Sequence, residues 1–140
     1  KAVEKLTKFF DKFYKDFFDR LIPVRAEVVV GDDEWGVTGM IDQLFYNEKS
    51  KKLEIWYWKT NKAIKKDNKW QQFKKPLNHL DVCELNTYSL QLSFYKLIVE
   101  RNTELELGDS YIVWFNEKND TYKIMKCYDF RDEILKIMSV

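Results

Sequence analysis

The chain has 140 residues, with 24 Lys and Arg against 23 Asp and Glu, so its formal net charge of +1 singles out no class of partner and only local charge can be informative. That length suits one domain, able to bury about two-thirds of the surface its unfolded form exposes, and with 16% aromatic residues, four glycines and two prolines the chain is neither disordered nor repetitive. No apolar run approaches the ~20 residues of a membrane span and no signal-peptide pattern opens the chain, and a start at Lys1 rather than Met is what either a fragment or a processed form is expected to show.

Along residues 2–21 the apolar side chains Leu6, Phe9, Phe10, Phe13, Phe17 and Leu21 recur at spacings of three and four, the period of an amphipathic helix. Pro23 is expected to stop it. The β-branched run 24–30 then predicts a strand, and GDDEWG at 31–36 a turn. Residues 37–46 and 53–59 predict two more strands joined by the polar turn 47–52, so that the three form an antiparallel meander. Residues 63–76 change character: Lys65, Lys66, Lys69, Lys74 and Lys75, with Lys62 just before them, surround Trp70 without periodicity. They are expected to form a mobile loop or a short helical excursion. Asn86 or Thr87 can cap a helix running to about Arg101, with Tyr88, Leu92, Tyr95 and Val99 on one stripe. Gly108 resets the chain, 110–115 and 122–127 predict a hairpin around 116–120, and a last short helix takes 129–138. Helix, three strands, helix, strand pair, helix is the order of an α/β sandwich with mixed strand directions.

Within this frame Gly39-Met40-Ile41-Asp42 places one carboxylate in an otherwise apolar strand, where it needs a cation, a donor or solvent. In the next strand, LEIWYWKT (53–60), alternation sends Ile55, Tyr57 and Lys59 to one face and Glu54, Trp56 and Trp58 to the other. Lys59 thereby becomes a natural ion-pair partner for Asp42. Downstream, Gln91 and Tyr95 stand one helical turn apart on the same face.

Taken together, GMID (39–42), YWKT (57–60) and QLSFY (91–95) resemble the GxxD, (D/E)xK and QxxxY motifs of the PD-(D/E)XK nuclease superfamily, and within it the RecB-like exonucleases. TYSLQLSFYKLIVE (87–100) looks like the family's motif helix, and the likeness extends over roughly residues 1–130. It implies an αβββαβ restriction-endonuclease-like core: a mixed central sheet flanked by helices, in a single domain. It also implies DNA as substrate, an intracellular setting (cytoplasm, nucleoid or a viral replication context), and a place in a larger replication, repair or recombination assembly. Phosphodiester hydrolysis needs a water nucleophile and charge neutralisation, which in this family two carboxylates supply by holding Mg²⁺ or Mn²⁺. By resemblance, Asp42 is a metal ligand, the backbone carbonyl of Trp58 completes the metal shell, and Lys59 orients water or stabilises phosphorane charge. Gln91 and Tyr95 would touch the site and the DNA backbone, and Glu27 matches an upstream acid that some members use.

Tyr57 departs from the pattern. It stands where the family has Asp or Glu, and a phenol with a pKa near ~10 ligates Mg²⁺ poorly. Glu54 faces the other side of the sheet and Glu48 lies in the preceding turn, so neither replaces it. The expectation is a chain that is catalytically dead or strongly impaired, whose metal binding is weak. Natural loss of activity, an introduced inactivating change in a toxic nuclease, and a different strand register each account for the tyrosine. Because Lys59, Thr60 and the GxxD strand are intact, recent loss is favoured.

The remaining features divide between structure and binding. Lys62, Lys65, Lys66, Lys69 and Trp70 form either a solvated loop or a phosphate-tracking, base-stacking DNA surface. His79 is expected to be structural, and Cys83 and Cys127, without CxxC or CxxH neighbours, to be reduced and buried. Phe10, Phe13, Tyr14 and Phe17 belong to a core or to a face that docks a partner.

Overall fold

The computed structural model describes residues 2–116 and 118–139. Its elements are α1 (Ala2–Phe17), β1 (Leu21–Asp32), β2 (Val37–Asn47), β3 (Lys52–Lys59), α2 (Glu84–Asn102), β4 (Leu107–Trp114), β5 (Lys123–Lys126) and α3 (Arg131–Met138). One five-stranded sheet runs in the order β1-β2-β3-β4-β5. The first three strands are antiparallel, β3 and β4 are parallel, and β4 and β5 are antiparallel. A parallel neighbour requires a crossover, and α2 supplies it. The expected mixed α/β core with flanking helices is therefore the observed one. Among the described residues no helix is long and apolar enough to cross a membrane.

Strand alternation delivers two apolar faces to two helical layers. On one face Phe9 and Phe13 of α1 pack with Phe45, Trp56, Val113 and Phe115. Phe13 is 1% exposed and is ringed by Tyr14, Phe17, Phe45, Trp56, Trp58 and Tyr122 at centroid distances of 5.0–6.3 Å. Burying one such side chain is worth ~2–3 kcal/mol. The aromatic row of α1 is thus core. On the other face Leu92, Ile98 and Val99 of α2 cover Ile41, Ile55, Tyr57 and Ile112. Glu54 is a buried polar group beneath the α1 layer: it accepts from Asn47 Nδ2 at 3.1 Å and Trp56 Nε1 at 3.0 Å, and desolvation raises its pKa.

Four local expectations need correcting. The first helix ends at Phe17, where Arg20 N–H closes onto the Phe17 carbonyl, and Leu21 already belongs to a strand. Pro23 lies inside β1 rather than before it, because β1 is an edge strand and its pairing with β2 slips between Pro23 and Arg25, so the missing N–H costs no ladder bond. Helix α2 starts at Glu84 without a side-chain cap. The N–H of Leu85 finds the carbonyl of Lys65 instead, and Asn86 spends its amide on the carbonyl of Asp81 at 2.9 Å. Gly108 does not break the chain but lies in β4, where a Cβ would come 3.2 Å from that of Lys52.

The segment between β3 and α2 forms no helix, and it is pinned at several points. Asn68 Oδ1 accepts from the N–H groups of Trp70 and Gln71 at 2.9 and 3.2 Å, while Asn68 Nδ2 donates to the Val82 carbonyl at 2.9 Å. A bridge pairs Gln72 with Asp81, and Ile64 and Leu77 are buried. Cys83 and Cys127 are free and buried, and burial pushes the Cys127 thiol up to about 11. His79 Nε2 lies 3.3 Å from Glu133 Oε2, tying the segment to α3.

A second clamp sets α2 against the β1–β2 turn. Arg101 Nε donates to Asp32 Oδ2 at 2.8 Å, and the Arg101 guanidinium lies 4.0 Å over Trp35, whose ring stacks on Phe94 at 5.8 Å and 10°. Asp32 also accepts from the Trp35 N–H at 2.9 Å. The Arg101 guanidinium is the main reason its carboxyl is held at about 2. The clamp fixes how α2 crosses β2, and so which side chains meet there.

Candidate active site

The β2–β3 ladder pairs from Asn47↔Lys52 up to Gln43↔Trp56 and then stops. Beyond that point the strands splay, and the Asp42 carboxylate fills the opening, accepting the Trp58 backbone N–H on Oδ2 at 3.1 Å. The expected ion pair between Asp42 and Lys59 is not formed, because the strand amide takes the carboxylate first and Lys59 turns toward aromatic rings. Its ammonium lies 4.5 Å from the ring centroid of Tyr88 and 5.4 Å from that of Tyr57. Both rings are cation–π partners within the ~6 Å range of that attraction.

Alternation does place Tyr57 on the face with Ile55 and Lys59, as expected, and the ring is 5% exposed. Its hydroxyl donates to the Met40 carbonyl across the splayed gap. The ring lies against that of Tyr95, with centroids 6.2 Å apart and planes 28° from parallel. Desolvation, then the neighbouring Tyr95 and Asp42, raise its pKa far above the ordinary phenol value, so it remains a neutral donor.

From α2, Gln91 Nε2 donates to the Tyr95 hydroxyl at 3.1 Å, so the two motif residues do meet, and Tyr95 in turn lies against Tyr57. Gly39 is the reason Tyr95 can reach so far. A Cβ on Gly39 would lie 2.2 Å from Tyr95 Cε1, a separation that real atoms do not show. The glycine of the β2 motif and the tyrosine of the α2 motif are one packing unit.

Glu27 falls between the paired positions Ala26↔Gln43 and Val28↔Ile41, which puts it opposite Asp42 on β1. Its φ of +52° is left-handed, unusual for a non-glycine residue inside a strand. Register therefore lines up Glu27, Asp42 and Tyr57 on adjacent strands. Lys62, Lys65, Lys66, Lys69 and Trp70 lie apart from this row, on the pinned segment leading to the start of α2.

Two residues beyond the motif matches support the site. Tyr88, one turn before Gln91 on α2, covers Lys59 and accepts from Asn61 Nδ2 at 2.5 Å. Asn61, two residues past Lys59, also receives Trp114 Nε1 and Asn116 Nδ2 on its carbonyl at 2.6 and 2.7 Å. The spacing of Tyr88 from Gln91 along the helix face was the available signal; Asn61 had none, since its partners come from α2, the end of β4 and the segment after β4.

The donor set does not fit a hard divalent cation. Mg²⁺ and Mn²⁺ want several oxygen ligands, with carboxylates prominent among them. Here Asp42 already accepts one strand amide, Tyr57 is a committed neutral donor, and no group of three or more His, Cys, Asp or Glu side chains is placed to hold a metal among the described residues.

No family model matches the chain, and no curated protein matches it. Solved structures do. The crystal structure of a candidate exonuclease from Eubacterium rectale matches with a TM-score of 0.53 at 15% sequence identity, over 96% of this chain and 47% of that one. The chain thus spans about half the length of that protein and is similar to it in fold.

Proposed function

We propose that this domain is a DNA nuclease of the PD-(D/E)XK type, exonuclease-like, whose hydrolysis of phosphodiesters is lost or impaired because Tyr57 stands where a metal-binding carboxylate is needed. The observation that supports this reading is the convergence of Asp42, Lys59, Gln91 and Tyr95, from two strands and a helix, at the point where β2 and β3 splay apart. A carboxylate, a cation and an amide around one opening are the groups that bind a phosphodiester and stabilise charge on it. Asp42 with a second acid at position 57 would supply the seat for Mg²⁺ or Mn²⁺, with the Trp58 carbonyl and Glu27 as further oxygen donors. Lys59 would carry the positive charge that faces the phosphate, and Gln91 and Tyr95 would hold the DNA backbone. A larger replication, repair or recombination assembly is the setting proposed for such a domain.

The test compares the chain with Tyr57→Asp and Tyr57→Glu. Calorimetry should detect Mn²⁺ binding only in the acidic variants, and cleavage of single- and double-stranded DNA should appear or rise with it. A folded, metal-binding Tyr57→Asp that cuts no DNA would show that this strand is not a nuclease strand.

One observation favours a second reading, a non-catalytic module that keeps the fold to hold DNA or a protein. Tyr57 is buried with its hydroxyl satisfied and its ring packed, as at a position settled into a structural role. Unchanged inactivity of every acidic variant, with DNA binding retained in EDTA, would select it.

A further inference from the structure

Trp70 is 92% exposed, the most exposed large apolar side chain among the described residues. A floppy loop would explain such exposure, but the loop is not floppy in its contacts: Asn68 holds the Trp70 N–H at 2.9 Å, and Asn68 itself is tied to Asp81 and Val82 at 3.1 and 2.9 Å. An indole presented to water on an anchored backbone is a preformed platform.

Beside it opens a pocket of about 640 Å³, lined by Lys65, Asn68, Lys69, Trp70 and Gln71 and closed by the first residue of α2, Glu84. Residues 62–70 carry four lysines and one acid, Asp67, which also lines the pocket. No ion pair holds Lys62, Lys65, Lys66 or Lys69 among the described residues. Glu84, the other acid at the rim, is already committed, accepting the Lys65 N–H at 2.7 Å. One turn along α2 from Glu84 stands Tyr88, against Lys59.

We infer that this segment is a binding surface for single-stranded nucleic acid, in which an unpaired base stacks on Trp70 and the flanking phosphates lie along Lys62, Lys65, Lys66 and Lys69. Exposed aromatic faces recognise bases only when these are unstacked, and unpaired lysines track the backbone through counterion release. Duplex DNA offers no free base face to Trp70. The surface lies at the end of α2 that leads to Lys59, so a strand held here extends toward the proposed nuclease site; in that respect the inference deepens the nuclease reading and rests on it. Binding itself does not require cleavage.

Fluorescence anisotropy in EDTA, with labelled dT20, rU20 and a 20-base-pair duplex, tests it on the unmodified chain and on Trp70→Ala, Trp70→Phe and Lys65→Ala/Lys66→Ala/Lys69→Ala. The expected result is preference for single strands over duplex, with the dT20 and rU20 arms reporting which sugar is favoured. Trp70→Ala should weaken single-strand binding about ten-fold or more, Trp70→Phe should restore most of it, and the triple variant should lower the salt slope by about two units. Equal or tighter duplex binding, or unchanged affinity in Trp70→Ala, overturns the inference. If Tyr57→Asp cuts no DNA while dT20 binding still depends on Trp70, the nuclease reading fails and the surface stands. If Tyr57→Asp cuts DNA while dT20 binding is indifferent to Trp70, the surface fails and the nuclease reading stands.

Discussion

The ring of Tyr95 occupies the space that a side chain on Gly39 would need, with Cε1, Cζ and Oη only 2.2, 2.6 and 2.9 Å from where a Cβ would sit. In most strands Gly→Ala is neutral or favourable, since alanine loses less backbone entropy. Here the added methyl must displace the Tyr95 ring, and with it the partner of Gln91 and of Tyr57. Gly39→Ala is expected to lower stability by ~1–3 kcal/mol in urea unfolding, and Gly39→Ala/Tyr95→Ala to recover part of the loss relative to the two single changes added together. Additive losses would mean that the contact is not the cause.

Tyr57→Phe keeps the ring against Tyr95 and removes only the donor to the Met40 carbonyl. It should cost ~0.5–1.5 kcal/mol, leave the circular dichroism spectrum unchanged and restore no cleavage. A variant as stable as the parent would show that the Met40 carbonyl finds water instead.

Among the described residues Lys59 has no carboxylate partner, and it is steadied by Tyr88. In the background of an active Tyr57→Asp chain, Tyr88→Leu is expected to lower kcat by about ten- to a hundred-fold through loss of positioning, with KM little changed. A rise in KM alone would assign Tyr88 to substrate binding.

The Arg101–Asp32 clamp predicts the acid limb of stability. Asp32 titrates at about 2 in the folded chain, below the ~3.9 of an unfolded aspartate. Its contribution is therefore complete above the unfolded value and is lost as pH falls toward 2. Asp32→Asn should be less stable than the parent at pH 7, with urea midpoints that converge between about pH 5 and pH 2. Parallel midpoint curves would remove Asp32 from the account.

Lys96 predicts the alkaline limb. It is 3% exposed on α2, no hydrogen bond or ion pair engages it among the described residues, and burial lowers its pKa. A lysine depressed in the folded state binds fewer protons there than when unfolded, so stability rises as pH climbs from the folded value to the unfolded ~10.4. Lys96→Met should stabilise the chain at pH 7 by about 1 kcal/mol or more, an advantage that shrinks toward pH 10. An unstable Lys96→Met would mean that the amine has polar partners worth more than its desolvation.

The amphipathic period of α1, the alternation in LEIWYWKT and the order of elements were all legible, because each is a repeat of apolar residues along a short stretch, and burial acts on that repeat whatever the rest of the chain does. The pairing of Gln91 with Tyr95 was legible for the same reason: one helical turn fixes their separation. The limits of α1 and α2 were not, since Pro23 is tolerated by an edge strand and Leu85 is capped by a carbonyl twenty residues upstream. Neither fact is local.

The same division runs through the site. A resemblance of three short motifs singled out Asp42, Tyr57, Lys59, Gln91 and Tyr95 as candidates, and implied an acid at position 57, where the chain has tyrosine. Only the packed sheet decided that Asp42 takes the Trp58 amide rather than Lys59, that Lys59 lies over Tyr88, and that Tyr57 closes onto Met40. Those choices depend on where β2 and β3 part and on how α2, held by Arg101 to Asp32, presses Tyr95 over Gly39. They are set by contacts between segments far apart in the chain, which no local pattern of residues encodes.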